Sequence, residues 1–459
     1  MTTSVPRFSF ALIAVVLASC SGEVTPDASA PPLDAGRQLD AGPSLDGGDA
    51  SATDPDAGAD AGRDAGEPDA GPPRCAGAVD CEAAAPAGVE HEMVSVDGCS
   101  FALVRDPAAD RDAQIDALAA RMGGARTVAD VLDHLNREGR AGISSDNAGR
   151  MRNHDYVGFR WNAGDEAVDY WYPQGITGSS DARESGRVEG RRLLMVSWYH
   201  RTDARPTKGA RISLVDYSDP SAIRYRHLLL VTPDADGESY AAAEYDSGGA
   251  LHAGGIVWVG DHLYVADTSV GLRVYDLSRV LQPSNSDDGD RVGLSGARSD
   301  AHGYRYAVPQ LARYRLAPGS CPIRFSFAGL DRDAAAIVTG EYRSGDPGGR
   351  VARWAVDLES GWLGEEGGRV PALDAAVGAQ TRMQGGLTFE GVHYLSSSSQ
   401  AGRWGRLYRT RPGRTSVITA WPYGCEDLYV ERAERLIWTS SEHPPLRDTL
   451  GIPLQGLPD

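Results

Sequence analysis

The chain has 459 residues, a formal net charge of −19 and 7% aromatic residues. That acidity argues against nucleic acid as a partner, because such partners demand a basic face. The length fits two or three domains, or fewer where an all-β fold runs long.

The first 20 residues read as an export signal. Arg7 is the only charged residue there, and an apolar run from Phe8 to Val16 follows it. The run is too short for a bilayer-spanning helix, which needs about 20 residues, and fits the h-region of a signal peptide. It ends in Leu17-Ala18-Ser19-Cys20, which resembles the bacterial lipobox: an aliphatic residue, two small ones, then the cysteine that takes a diacylglyceryl group. The resemblance implies that residues 1–19 are a lipoprotein signal peptide and that Cys20 is lipidated, with the membrane as a partner through that anchor. Several acyl chains at about 0.8 kcal/mol per buried CH₂ would hold the chain on a membrane face. An ordinary signal peptide with a cysteine near its cleavage site is the plainer alternative. Ser21 follows the cysteine where an aspartate would mark inner-membrane retention in enteric-type bacteria. The expected location is the cell envelope, with the outer membrane favoured, or the extracellular space.

Residues 20–73 form a tether. Asp-Ala-Gly recurs at Asp34, Asp40, Asp60, Asp64 and Asp69, and from Ser21 to Pro73 there are 12 acids and two arginines, a net charge of −10. About half of the chain's charge therefore sits in a segment with almost no large apolar residues. Such a segment cannot bury a core and is expected to be disordered and self-repelling.

With Cys20 set aside, Cys75, Cys81, Cys99, Cys321 and Cys425 remain. An exported protein keeps disulfides, and an odd count leaves one thiol over. Proximity makes Cys75–Cys81 or Cys81–Cys99 the expected bridges, with Cys75, Cys81 and Cys99 the disulfide candidates. A zinc pair is disfavoured, because Cys-x₅-Cys is not a zinc spacing. Residues 74–155 are read as a Cys-containing segment and a small helical subdomain. Ile115, Leu118 and Met122, then Val128, Val131, Leu132 and Leu135, recur at helical spacing on either side of Gly123-Gly124.

Residues 156–459 switch to short β-rich runs split by Gly, Pro, Asp and Ser. A motif of three apolar strands repeats. It starts at Gln174-Gly175-Ile176, again at Gly254-Gly255-Ile256, then at Phe325-Ser326-Phe327, at Gln384-Gly385-Gly386, and at Glu426-Asp427-Leu428. Such repeats predict an all-β fold, a β-propeller of five blades, or six if one has been missed, and a β-sandwich is the rival. The stretches Asp169–Thr177, Val196–Tyr199, Val265–Thr268 and Val274–Leu277 resemble a family of uncharacterised secreted bacterial β-propeller-like proteins, over about residues 145–445. That resemblance implies secretion and fold and brings no established activity. The repeats are also similar, in architecture only, to lactonase-type and NHL-type propellers.

Motifs for chemistry are sparse. There is no Gly-x-Ser-x-Gly, Walker loop or His-Glu-x-x-His, and Lys208 is the only lysine. If the repeats are blades, Gln174, His252, Gln384, Glu426 and Asp427 would lead into the innermost strands and meet at a central channel. His252 and Glu426 there are the candidates for a divalent metal. Backbone bonding around a water-filled channel is the blander role for the same residues. Tyr170, Trp171 and Tyr172, near Trp198 and Tyr199, could stack on a glycan. Asp287, Asp288 and Asp290 depart from calcium-loop spacing and read as a solvated loop. The expected function is a membrane-anchored propeller binding a ligand or partner, glycan or protein, at the envelope. A metal-assisted hydrolase or lactonase with its site at the channel and a structural envelope component are the alternatives, and no cofactor is fixed.

Overall fold

The computed structural model describes residue 75 and residues 78–201, 207–287, 289–398 and 404–457. Cys20, the tether and Asp288 lie outside the described residues. The chain is mostly β and propeller-like, and the apolar runs of the repeats become antiparallel meanders.

The first three meanders share one 16-stranded sheet, and each is named as a sheet in its own right; the first orders Trp171–Gly178, Leu193–His200, Ala210–Asp216 and Arg224–Pro233. The second takes Ile256–Val259, His262–Asp267, Gly271–Asp276 and Ala307–Leu316. The third takes Phe327–Asp331, Ala336–Gly340, Arg350–Ala355 and Val370–Val377. The fourth takes Met383–Phe389, Val392–Ser397, Arg406–Thr410 and Val417–Ala420. In the fifth, Cys425–Glu431, Leu436–Ser441 and Asp448–Pro453 are completed by Val157–Arg160 from the far end of the domain. The last sheet thus borrows its outer strand from the segment that enters the first.

The inner strands of each sheet are buried on both faces, which is why they read as largely apolar runs rather than alternating ones. In the first sheet, Leu193, Met195, Ile212 and Leu214 pack with Trp258, Leu263 and Val265 of the second. The opposite face, Val196, Trp198, Val215 and Tyr225, packs with Tyr429 and Trp438 of the fifth. Further clusters join second to third, through Val257, Tyr264, Ile337 and Trp354; third to fourth, through Phe327, Val338, Leu395 and Tyr408; and fourth to fifth, through Leu387, Tyr394, Leu428 and Ile437.

The innermost strands approach one another too closely for side chains. A Cβ on Gly175 would meet Gly255, one on Gly255 would collide with the Ala328 amide, one on Gly329 with Gly386, and one on Gly385 with Asp427. Asp427 then turns the corner back to the start: its Oδ2 accepts from the amides of Ile176 (3.3 Å) and Ile256 (3.2 Å). Its side chain is fully buried, and burial drives its pKa well above the usual carboxylate range. Nearby Asp181 is also buried. Desolvation outweighs the Thr177 hydroxyl that donates to it at 2.7 Å and pushes it up to about 7.

The segment before the first sheet runs along the outer strands. Val94–Val96 pairs with Val370–Val377, and Ala102–Arg105 bridges the outer strands of the second and third sheets. Helices Asp112–Arg121 and Val128–Leu132 follow, the second with a Thr127/Asp130 capping box. Arg137–Glu138 then joins the first sheet, and Arg140–Ala141 joins Val157–Arg160 of the fifth.

The disulfides correct the sequence reading. Neither Cys75–Cys81 nor Cys81–Cys99 forms; the bridges are Cys75–Cys99, with Cα atoms 5.2 Å apart, and Cys81–Cys321, at 5.3 Å across 240 residues. The reason is strand pairing. Ala102–Arg105 lies against the end of Ala307–Leu316, and the Cys321 amide donates to the Ser100 carbonyl at 2.8 Å, so position 321 arrives beside the N-terminal segment. Among the described residues, Cys425 is the free thiol; it is buried, and burial pushes it up to about 12.

Two outcomes follow from this core. Gly255→Ala should destabilise the protein by about 3 kcal/mol or more in urea unfolding, whereas Gly345→Ala, where a Cβ meets nothing within 4 Å, should stay within about 0.5 kcal/mol. Asp181 has a folded pKa of about 7 against an ordinary 3.8. Its unfolded form therefore loses the proton first, so its contribution is full below about pH 4 and is lost as the pH rises towards 7. Asp181→Asn should remove that loss, raising the urea midpoint at pH 7.5 relative to pH 5; parallel pH profiles for the two proteins would contradict it.

Candidate functional site

Of the residues the sequence named, several gather along the inner strands. Gln174 is buried with its amide donating to the Pro173 carbonyl at 2.9 Å. The Gln384 amide donates to Glu426 Oε1 at 3.3 Å. His252 stacks on Tyr199 with ring centroids 4.3 Å apart, and Tyr199 stacks in turn on Tyr172 at 5.6 Å. Burial lowers the pKa of His252, which favours the neutral ring. Among the described residues, no three His, Cys, Asp or Glu side chains gather as a metal site would need.

Strand alternation separates Tyr172 from Trp171, and Tyr170 lies just before the strand. Tyr172 turns towards Tyr199, under the guanidinium of Arg447 at 4.9 Å. Trp171 is buried on the other side and lines a separate cavity of about 320 Å³, with Tyr170, which is 40% exposed, at its edge.

That cavity is built on the outer half of the first sheet. Ala210–Asp216 alternates, so that Ile212 and Leu214 enter the core shared with the second sheet while Arg211 and Ser213 face the other way. Arg211 is only 4% exposed. Its guanidinium lies 4.5 Å from the Trp171 ring and 4.7 Å from the Trp198 ring, and Nη1 donates to the Tyr304 hydroxyl at 3.0 Å. Its Nε and Nη2 make no hydrogen bond, although Nη2 lies 3.6 Å from Asp165 Oδ1. A buried guanidinium with two open donors is costly unless something accepts from them.

Among the described residues, Asp165 is the one carboxylate in the lining. It sits in the short helix Ala163–Ala167, whose N-cap Asn162 accepts from the Asp165 amide at 2.8 Å. The Tyr225 hydroxyl donates to its Oδ2 at 2.6 Å, Arg137 Nη1 lies 3.3 Å from the same oxygen, and His227 Nε2 is 3.0 Å from Oδ1. Burial alone would raise its pKa, but His227, Arg211 and Arg137 outweigh that and hold it below the ordinary carboxylate range. Burial, reinforced by the Arg211 charge, pushes His227 down to about 3, so the ring is neutral.

Ser213, His227 and Asp165 form a chain in the order of a catalytic triad, but its wiring is that of a brace. Trp198 Nε1 donates to Ser213 Oγ at 2.7 Å, and Ser213 Oγ lies 2.8 Å from His227 Nδ1. The ionised Asp165 can only accept, so the single proton of the neutral ring lies on Nε2 facing it, and Nδ1 accepts from the Ser213 hydroxyl. Ser213 is fully buried and is not part of the cavity wall. The chain crosses the sheet and fixes Asp165, and Asp165 fixes the face that Arg211 presents.

The wall also carries Arg137, Lys208, Arg226 and Arg305. These cations were not named from the sequence, apart from Lys208 as the lone lysine. Arg211 sits within Ala210–Asp216, a run whose pattern marks a strand and not a site.

No family model matches the chain, and no curated protein matches it. Among solved structures, it is similar to a GH43_1 enzyme from Xanthomonas citri at 9% identity and a TM-score of 0.34, over 67% of this chain and 93% of that one. It is similar to a gluconolactonase from Xanthomonas campestris at 11% identity and a TM-score of 0.29, over 70% and 96%. Hydrazine synthase from Kuenenia stuttgartiensis follows at 10% and 0.28, over 60% and 74%. At these scores the likeness carries no argument about chemistry.

Proposed function

We propose that this protein is an exported five-bladed propeller, anchored by lipid at Cys20 and held off the membrane by residues 20–73, that binds an anionic ligand in the Arg211 cavity. The five meanders, the apolar cluster between each neighbouring pair and the borrowed strand Val157–Arg160 support that blade count. Two disulfides suit an oxidising compartment.

The observation that carries the ligand reading is Arg211. In a chain of net charge −19, one cavity gathers five cations against one carboxylate among the described residues, and its most buried cation has two buried nitrogens without a hydrogen bond. A carboxylate or phosphate accepting from Nε and Nη2, after a turn of the side chain that brings these buried nitrogens to the cavity, would complete a fork of charge-assisted bonds. The flanking indoles hold the guanidinium flat before any ligand arrives, which lowers the ordering cost of binding.

Titration calorimetry of the purified full-length protein with D-glucuronate tests this. Binding should weaken as salt rises and fall by at least about tenfold in Arg211→Gln, with Arg211→Lys intermediate because a point charge replaces the fork. A protein that melts normally yet binds equally well without Arg211 would contradict it. For the anchor, Cys20→Ser should move the protein from the membrane pellet to the soluble fraction; an unchanged pellet would contradict lipidation.

A further inference from the structure

The Arg211 cavity does not end at its own wall. A second cavity of about 430 Å³ shares Asn136 and Arg137 with it and continues past Asn162, Arg140 and Arg224. Among the described residues, Glu138 is the one carboxylate along this second stretch. Two of the cations are held in a particular way. Arg224 Nη2 donates to the Leu135 carbonyl at 2.7 Å, and Arg226 Nε donates to the His134 carbonyl. Main-chain carbonyls, not carboxylates, orient these guanidiniums, so they are positioned without being neutralised.

We infer that the joined cavities form one cleft for an acidic oligosaccharide, with one uronate carboxylate on Arg211 and neighbouring carboxylates reaching Arg226 and Arg224. This rests on the anion-site reading above and adds to it a polymer, a direction and a substrate class. The spread of charge along two cavities fits a chain of anions better than a single small one. The wall between the charges is of the kind that recognises sugars: the exposed Tyr170 ring and the Tyr304 ring offer flat faces, and Asn136 and Asn162 offer amides for hydroxyls. Nucleic acid is the poorer fit. It carries a charge about every 1.7 Å of duplex, which the overall negative charge of the chain opposes over a distance, whereas a uronate chain carries one charge per ring.

The test is calorimetry of the full-length protein with galacturonate oligomers of one, two, four and six units, with xylohexaose and a six-nucleotide single-stranded DNA as comparison probes. Affinity should climb by about tenfold or more from monomer to hexamer, as linked contacts add. Arg224→Gln, an exposed position, should weaken the hexamer severalfold and leave the monomer unchanged. Arg211→Gln should weaken both by at least about tenfold. Equal affinity for monomer and hexamer, with no effect of Arg224→Gln, would overturn the extended cleft while leaving the anion site standing. Absence of monomer binding and of any Arg211 effect would remove the anion site itself. Tighter binding of xylohexaose or of the oligonucleotide would reject the acidic-sugar class.

Discussion

Backbone contact at the axis is the constraint on which the rest of the structure depends. Gly175, Gly255, Gly329 and Gly385 let successive inner strands touch main chain to main chain, where a single methyl would force them apart. Asp427 converts this file of contacts into a ring, because one carboxylate oxygen on the fifth sheet accepts amides from both the first and the second. Apolar faces between neighbouring sheets supply the bulk of the driving force, and the axis sets the geometry in which those faces meet.

A ring of sheets still has an outside. The segment from Val94 to Arg160 runs along it, bridging the second and third sheets, joining the first, and supplying the outer strand of the fifth. Cys75–Cys99 and Cys81–Cys321 tie the start of this belt to itself and to the end of the second sheet. The cavity arises where the belt passes from the fifth sheet to the first: the helix Ala163–Ala167 brings Asp165 over the outer strands, and the Trp198–Ser213–His227 chain holds that carboxylate against Arg211. Fold and site are thus connected through one short connection.

Local pattern exposed much of this architecture and little of the cavity. Runs such as Leu193–Ser197, Leu263–Asp267 and Ala336–Thr339 became strands where their apolar character predicted them, because sheets buried on both faces leave an unmistakable composition. Val157–Arg160 offered only four residues with no repeat around it, and its role depends on a partner nearly 300 residues away. Cys321 likewise depends on a strand pairing that no spacing rule contains. Propeller logic directed attention to the axis, through His252, Gln384, Glu426 and Asp427. The aromatic signal at Tyr170 and Trp171 did lead to the cavity wall, but the decisive partner, Arg211, was hidden within Ala210–Val215, a run legible only as a strand. Asp165 and His227 lie in unrelated segments, and their joint meaning exists only in three dimensions.

A crystal structure of the protein grown with dilute selenate, read by its anomalous signal, addresses the central claim without reference to any natural ligand. The account predicts a peak within hydrogen-bonding distance of Arg211 Nε and Nη2, between the Trp171 and Tyr304 rings. Selenate distributed over surface arginines, with those two nitrogens bonded instead to Asp165 or another group of the chain, would contradict it.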